Sequence, residues 1–372
     1  MAVHRRPMLT VLQVAFPLAP VWAGAVGGAE QMLHLLDAAL VAAGHRSIVV
    51  ACAGSRVAGE LVEMPAPPLR LSEWQKETAW TATRNAIATV LGGTRIDLVH
   101  VHGIDFPRYL PLAGVPTLAT LHLPLSWYPK SIFTLDIRLN CVSETQRRDG
   151  GAVAAGLPVV PNGIALDGFS LAGKRGYALA LGRICPEKGF HLALDAARRA
   201  GVPLALAGQV FPYPAHERYF RDEITPRLDR ARRFLGPLDP ARRRRLLAGA
   251  RCLLVPSEVA ETSSLVAMEA LASGTPVVAF RRGALPEIVE DGRTGFLVDN
   301  VEEMAAAIER CRGLSPAACR AVAEARFSAA STTRGYLRLY EEIAGTSPIV
   351  RSTGVPSLKS AIVTEPTAIS NR

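Results

Sequence analysis

Residues 251–300, RCLLVPSEVAETSSLVAMEALASGTPVVAFRRGALPEIVEDGRTGFLVDN, hold the reading that decides the fold. An apolar run, Cys252 to Val255, breaks at Pro256-Ser257; a polar loop with Glu258 and Glu261 follows, and Leu265, Met268 and Leu271 then recur at helical spacing. Gly274 and Pro276 stand where a helix C-terminus wants them, and Val277 to Phe280 reads as the next buried strand. The sum is one strand-loop-helix-strand unit of a parallel sheet. In such units ligands gather beyond the carboxyl ends of the strands, facing helix N-termini whose free N–H groups carry partial positive charge. The amides of Ser264, Leu265 and Val266 face that way, which suits an anion. Glu261 lies just before the helix and Glu269 eight residues on. A carboxylate accepts two hydrogen bonds, so one glutamate suits a hexose and the other a ribose, with diphosphate between them. Taken alone, the same pair also fits a loop charge and a partly solvated helix residue.

Upstream, YALALGRICPEKGF repeats the pattern: a buried strand, Tyr177 to Leu181, ends at Gly182-Arg183, and a helix begins near Gly189. Arg183 and Lys188 both project from that loop, where a planar fork and a point charge can clamp a diphosphate and stabilise a leaving group. Either cation alone would read as a solvated surface residue. In VPLALAGQV, the next strand, Gly208 leaves room for a nucleotide to approach.

The first half is built the same way. Leu9 to Ala15 reads as a first buried strand, and the loop after it ends in Gly27-Gly28, which opens a helix apolar at Met32, Leu33, Leu36 and Leu40. Paired glycines there let backbone amides approach a phosphate or simply make a flexible turn; both readings stay open. Ile48 to Cys52 and Ile96 to Gly103 are further strands, the latter with His100 and His102 on one face as strand-end or pocket residues, and His122 falls where the next strand ends. Asn162-Gly163 in VVPNGIALDGF makes a turn near a domain boundary placed at residue 168. The expected fold class is α/β, with two Rossmann-like doubly wound domains facing a cleft: 1–168, and 169–330.

The segment 251–300 resembles the Glu-x7-Glu region of the retaining family-4 glycosyltransferases of GT-B fold; GRICPEKG is similar to their GRxxxxKG, and VVPNGIALDGF to their VPNGID hinge, with Ala165 where aspartate is usual. The resemblance implies that Glu261 serves the hexose, Glu269 the ribose and His122 the hexose or acceptor side. It also implies that Arg183 and Lys188 act on the diphosphate, with Gly27, Gly28, Gly182, Ser264, Leu265 and Val266 lining the donor. The implied reaction is retaining hexosyl transfer from a nucleoside diphosphate sugar, UDP favoured, by a front-face mechanism in which the departing phosphate helps deprotonate the acceptor. A C-terminal helix, about 331–345, is implied to cross back to the first domain. Ser263-Ser264 replace the family's common Phe-Gly, which bears on donor choice or activity. FPYPAHERYFRDEITPRLDR resembles an insertion in a bacterial subgroup with antibiotic-tailoring members, favouring a small polar natural product or saccharide as acceptor over glycolipid or polysaccharide assembly at a membrane.

Composition is that of a soluble globular protein: 372 residues allow two cores, 49% of residues are hydrophobic and 20% charged. The net charge of +9 favours anionic partners. The arginines between Arg227 and Arg245 read first as a solvated helix and second as a weak contact with anionic membrane; without interleaved aromatics they do not suit nucleic acid. Six cysteines without a C-x-x-C pair read as buried free thiols rather than a zinc site, and without Asp-x-Asp no metal and no cofactor beyond the sugar nucleotide is expected. The N-terminal apolar run fits a buried strand better than a signal peptide, so a cytoplasmic protein is expected. A non-catalytic nucleotide-binding scaffold is the alternative of another class, whereas a dinucleotide oxidoreductase would need a GxGxxG that is absent. Residues 346–372, rich in Ser, Thr and Pro, read as a disordered tail.

Overall fold

The computed structural model describes residues 8–66, 72–110, 112 and 114–346. The expected tail from 347 on therefore lies outside the described residues; Thr346 ends the last helix.

The strands sort by their apolar runs into two parallel sheets. The first comprises β1 (Thr10–Val14), β2 (Arg46–Cys52), β3 (Glu60–Met64), β4 (Leu98–Val101), β5 (Thr117–Leu121) and β6 (Arg138–Cys141). The second comprises β7 (Ala178–Leu181), β8 (Leu204–Ala207), β9 (Arg232–Phe234), β10 (Cys252–Val255), β11 (Val277–Phe280) and β12 (Gly295–Val298). Their orders are β3-β2-β1-β4-β5-β6 and β12-β11-β10-β7-β8-β9. These are one winding used twice: strand one of each sheet lies beside strand four, so each sheet has a switch point where the crossovers diverge and leave a crevice.

Both faces of each sheet are covered, which is why the strands are apolar without alternation. In β7, Ala178 and Ala180 enter one core and Leu179 and Leu181 the other; β10 divides the same way between Cys252 and Leu254 on one side, Leu253 and Val255 on the other. Helices Phe190–Arg199 and Val301–Arg310 cover the first face, Leu265–Ala272 and Pro316–Arg326 the second. The edge strands β3 and β9 escaped the sequence reading. Each is short and polar, as an edge exposed to solvent favours, so neither has a buried-strand signature.

The last helix, Ala329–Thr346, packs on the first sheet, with Tyr336, Leu339, Tyr340 and Ile343 against Leu9, Val11, Leu36, Leu98 and Leu118. Its tyrosines are anchored by buried polar groups: Tyr340 OH lies 2.6 Å from His100 Nδ1, and Thr120 Oγ1 lies 2.7 Å from His100 Nε2 and 3.2 Å from Tyr336 OH. A buried His100 with both nitrogens engaged is thus a fastening of this helix, not a ligand.

The chain crosses between the sheets twice, and the crossings run side by side. Ile164 N donates to Phe327 O at 2.8 Å, Ala329 N to Ile164 O at 2.8 Å, and Thr332 Oγ1 to Pro161 O at 2.9 Å. A Cβ on Gly163 would sit 2.6 Å from Thr332 Oγ1 and 2.8 Å from Ser328 O, so only glycine lets the crossings touch. Among the described residues no helix is long and apolar enough to span a membrane.

Candidate active site

Beyond the carboxyl end of β10, Pro256 turns the chain into the loop that carries Glu261. The loop is shaped from behind by RRGALPE. Gly283, at φ +55°, packs its Cα against the Glu261 backbone, where a Cβ would lie 2.2 Å from Glu261 O; Arg282 Nη1 donates to Glu258 O at 2.7 Å. Glu261 is thereby held under the β7 loop, where Lys188 Nζ meets its Oε1 at 2.6 Å and Ser257 Oγ donates to the same oxygen. The Glu261 side chain is only 9% exposed. Helix Leu265–Ala272 starts next, with Ser264 as N-cap. The amides of Ser264, Leu265 and Val266 precede the first intrahelical bonds, which begin with Ala267 N to Ser264 O at 3.1 Å.

On the same side, Gly182 and Gly208 close-pack: a Cβ on Gly208 would fall 1.7 Å from Gly182 O. Gly208 is therefore glycine for contact between neighbouring loops, which accounts for it without a nucleotide. Arg183 is exposed and has no ion pair among the described residues.

The first sheet contributes the facing wall. The long loop after β1 delivers Gly27 as N-cap of helix Gly28–Ala42, and a Cβ on Gly28 would lie 3.5 Å from Leu265 Cδ1, so the two helix starts meet. Glu30, in the first turn, is 7% exposed; burial raises its carboxyl, while its own backbone hydrogen bond and the Arg183 guanidinium lower it. His122, at the end of β5, lies with its Nε2 3.2 Å from His102 Nδ1, and burial depresses it to about 4, leaving it neutral near pH 7. Its backbone carbonyl accepts from Thr262 Oγ1 at 2.7 Å, one residue past Glu261. A second link between the domains comes from Glu287, whose carboxylate accepts the Thr145 and Glu144 amides at 2.5 and 3.2 Å.

Three contacts thus draw the residues singled out from the sequence into one place: Lys188 with Glu261, Gly28 with Leu265, and His122 with Thr262, the neighbour of Glu261. Glu269 differs. It is 4% exposed and its Oε1 is engaged by Arg243 Nη2 at 3.0 Å; burial raises its carboxyl and Arg243 and Arg244 pull it back. Sequence reasoning missed this partner because Arg243 sits in the run Arg242–Arg245, which read as solvated or membrane-facing. In helix Pro240–Gly249 only Arg242 and Arg245 of the run are exposed. Arg227 is likewise paired, at 3.1 Å with Asp195 and 2.9 Å with Glu223, and Arg232 with Asp229. Arg227, Arg232 and Arg243 of the basic cluster therefore already have acidic partners. Glu30 was missed too, although an acid two residues after Gly-Gly is a signal for first-turn capping. A cavity of about 220 Å³ opens beside the loop after β1, lined by Pro17, Leu18, Met64 and Trp74; being apolar and without a cation, it does not suit a diphosphate.

Two doubly wound domains that present their switch points to one another, with cations on one wall and a neutral histidine on the other, have the GT-B arrangement. Residues 26–167 match the family model described as Glycosyltransferase Family 4, and residues 175–312 the one described as Glycosyl transferases group 1. The glycogen synthase of Mycobacterium tuberculosis H37Rv is 27% identical over 350 residues, 77% of this chain and 81% of that protein. Among solved structures, AviGT4, a glycosyltransferase involved in avilamycin A biosynthesis, aligns at a TM-score of 0.68 with 23% identity over 91% of this chain and 98% of its own. Anabaena Alr3699/HepE, solved with UDP-glucose, aligns at 0.69 with 18% identity over 89% and 99%. The chain belongs to the family-4, group 1 glycosyltransferases.

Proposed function

We propose that the chain is a retaining hexosyltransferase that moves a sugar from UDP to a hydroxyl of a small natural product or saccharide. The observation that carries this reading is the Lys188–Glu261 pair set between Arg183, the Leu265 helix start and the facing Gly27-Gly28 turn. Opposite charges at 2.6 Å are a resting arrangement that a sugar diphosphate can exchange: the ammonium turns to the phosphates and the carboxylate to hexose hydroxyls. Arg183, Lys188 and the amides of Ser264, Leu265 and Val266 then carry the charge developing on the leaving diphosphate, so the transfer needs no metal there. The departing phosphate takes the acceptor proton, and neutral His122 donates to a hexose or acceptor hydroxyl. Glu269 holds the ribose through the oxygen that Arg243 leaves free.

In this reading residues 1–168 with the helix at about 331–345 form the acceptor side, and 169–330 the donor side. UDP is supported by the UDP-glucose complex of HepE, and a natural-product acceptor by the likeness to AviGT4 and by the apolar cavity near Trp74. The enzyme works in the cytoplasm, where sugar nucleotides are made, and its transfer step takes no cofactor besides the donor.

Calorimetric titration of UDP, GDP, ADP and dTDP into the native protein and the Arg183→Ala and Glu261→Gln variants, followed by hydrolysis assays with the matching sugar nucleotides, tests this. One nucleotide should bind, Arg183→Ala should weaken it by about 10-fold or more, and Glu261→Gln should keep nucleotide binding but lose hydrolysis. Binding indifferent to Arg183, or hydrolysis indifferent to Glu261, would sink the assignment and favour a non-catalytic nucleotide binder.

A further inference from the structure

The loop after β7 holds a second cluster that the donor reading does not use. Cys185 immediately precedes the short turn Pro186–Lys188, Glu187 lies within it, and His216 belongs to helix Pro214–Tyr219, which packs on that turn. One potential ligand atom from each residue lies within 4.8 Å of the others. The Cys185 thiol is buried, and both Glu187 Oε2 and His216 Nδ1 are buried without a hydrogen-bond partner among the described residues. Buried polar atoms are nearly always partnered. Two orphans beside one thiol lie within the span of one ion's coordination sphere, and a cation satisfies them together.

We propose that Cys185, Glu187 and His216 bind a zinc ion that fastens the Arg183–Lys188 loop to helix Pro214–Tyr219. One thiolate, one imidazole and one carboxylate form a sulfur, nitrogen and oxygen set suited to tetrahedral Zn²⁺, with the fourth position left for water. Zinc–ligand distances of about 2.0–2.3 Å put tetrahedral donors roughly 3.5 Å apart, so the turn and helix need close on the ion by no more than about 1.3 Å. Binding breaks the Cys185 S–H bond, forms the S–Zn bond and releases the proton to solvent, with no change of oxidation state. Thiolate and carboxylate bring the occupied site to zero net charge, so the ion replaces the lone negative charge of Glu187 with a neutral cluster beside Arg183. The ring of Tyr213 meets His216 edge-on at 4.9 Å between centroids, which limits how the imidazole turns. The spacing C-x-E with a histidine 29 residues on matches no common metal motif, so the sequence alone pointed away from it.

The ion is a positioning element: Arg183 lies two residues before one ligand and Lys188 one residue after another, so the site sets where both cations point. The proposal stands or falls independently of which donor binds. The test is to strip the full-length protein with a chelator and titrate Co²⁺. The expected result is one Co²⁺ per chain with a near-ultraviolet thiolate-to-cobalt band and intense visible bands of tetrahedral cobalt, both displaced by one equivalent of zinc. Cys185→Ser should abolish the thiolate band, and His216→Ala, on a partly exposed short helix, should weaken binding at least 10-fold while the far-ultraviolet spectrum stays native. No thiolate band in the native protein overturns the proposal, and so does a band that survives Cys185→Ser or is unaffected by His216→Ala, since another of the six cysteines would then hold the metal.

Discussion

The two switch points share one topology and differ in chemistry. Between β7 and β10 the crevice carries Arg183, Lys188 and Glu261; between β1 and β4 it carries glycines and, with the end of β5, His100, His102 and His122, whose successive ring centroids lie 3.9 and 5.4 Å apart. The second wall is built on paired and free charges, and the first meets it with neutral imidazoles, since burial holds all three histidines below their usual range. The winding fixes where a ligand sits, while the side chains at the strand ends decide the charge it meets on each wall.

Removing charge from the second wall should have the largest effect. Lys188→Ala strips the diphosphate of its point charge and frees Glu261, and should reduce the transfer rate by about 10²–10³-fold, read by steady-state turnover. A loss of less than about threefold would mean the walls do not divide the labour as described. Next is the buried pair behind the site: Glu269→Ala leaves Arg243 without its partner and should destabilise the chain by about 3 kcal/mol in denaturant unfolding.

The neutral wall answers to pH. His122 titrates at about 4 when folded against 6.5 when unfolded, so below pH 6.5 the unfolded chain binds a proton that the native chain does not. Its contribution is fully present above 6.5 and is lost as pH falls from 6.5 to about 4, by which point the loss is about 3 kcal/mol. Melting curves of His122→Gln should accordingly fall less steeply over that window than those of the native protein. The smallest effect is on the contact between walls: Thr262→Ala removes the 2.7 Å bond to His122 O and should cost about 1 kcal/mol in thermal stability.

Much of this was legible in the sequence because buried parallel strands announce themselves. Cys252 to Val255, Val277 to Phe280 and Ala178 to Leu181 are apolar on both faces and bounded by glycine or proline, so strands and loops fell where the structure has them. What was not legible was polar on one side or distant in sequence. β3 and β9 are short edge strands with Glu60, Glu63, Arg232 and Arg233 among few apolar residues. The pairing of Arg243 with Glu269 and the approach of His216 to Cys185 join residues 26 and 31 positions apart, and a run of four arginines looks the same in sequence whether one of them is buried or none.

The paired crossings at Gly163 and Ser328 act as an axle. Two covalent passages at a distance from each other would hold the domains against rotation; two lashed together at Ile164 leave a single easy degree of freedom. The bonds from Thr262 to His122 and from Glu287 to Thr145 lie away from that axle, so any turning of one sheet against the other must break them first. A side chain placed at Gly163 would spread the axle itself, and would be felt at the far end of both arms as a cleft that no longer shuts true.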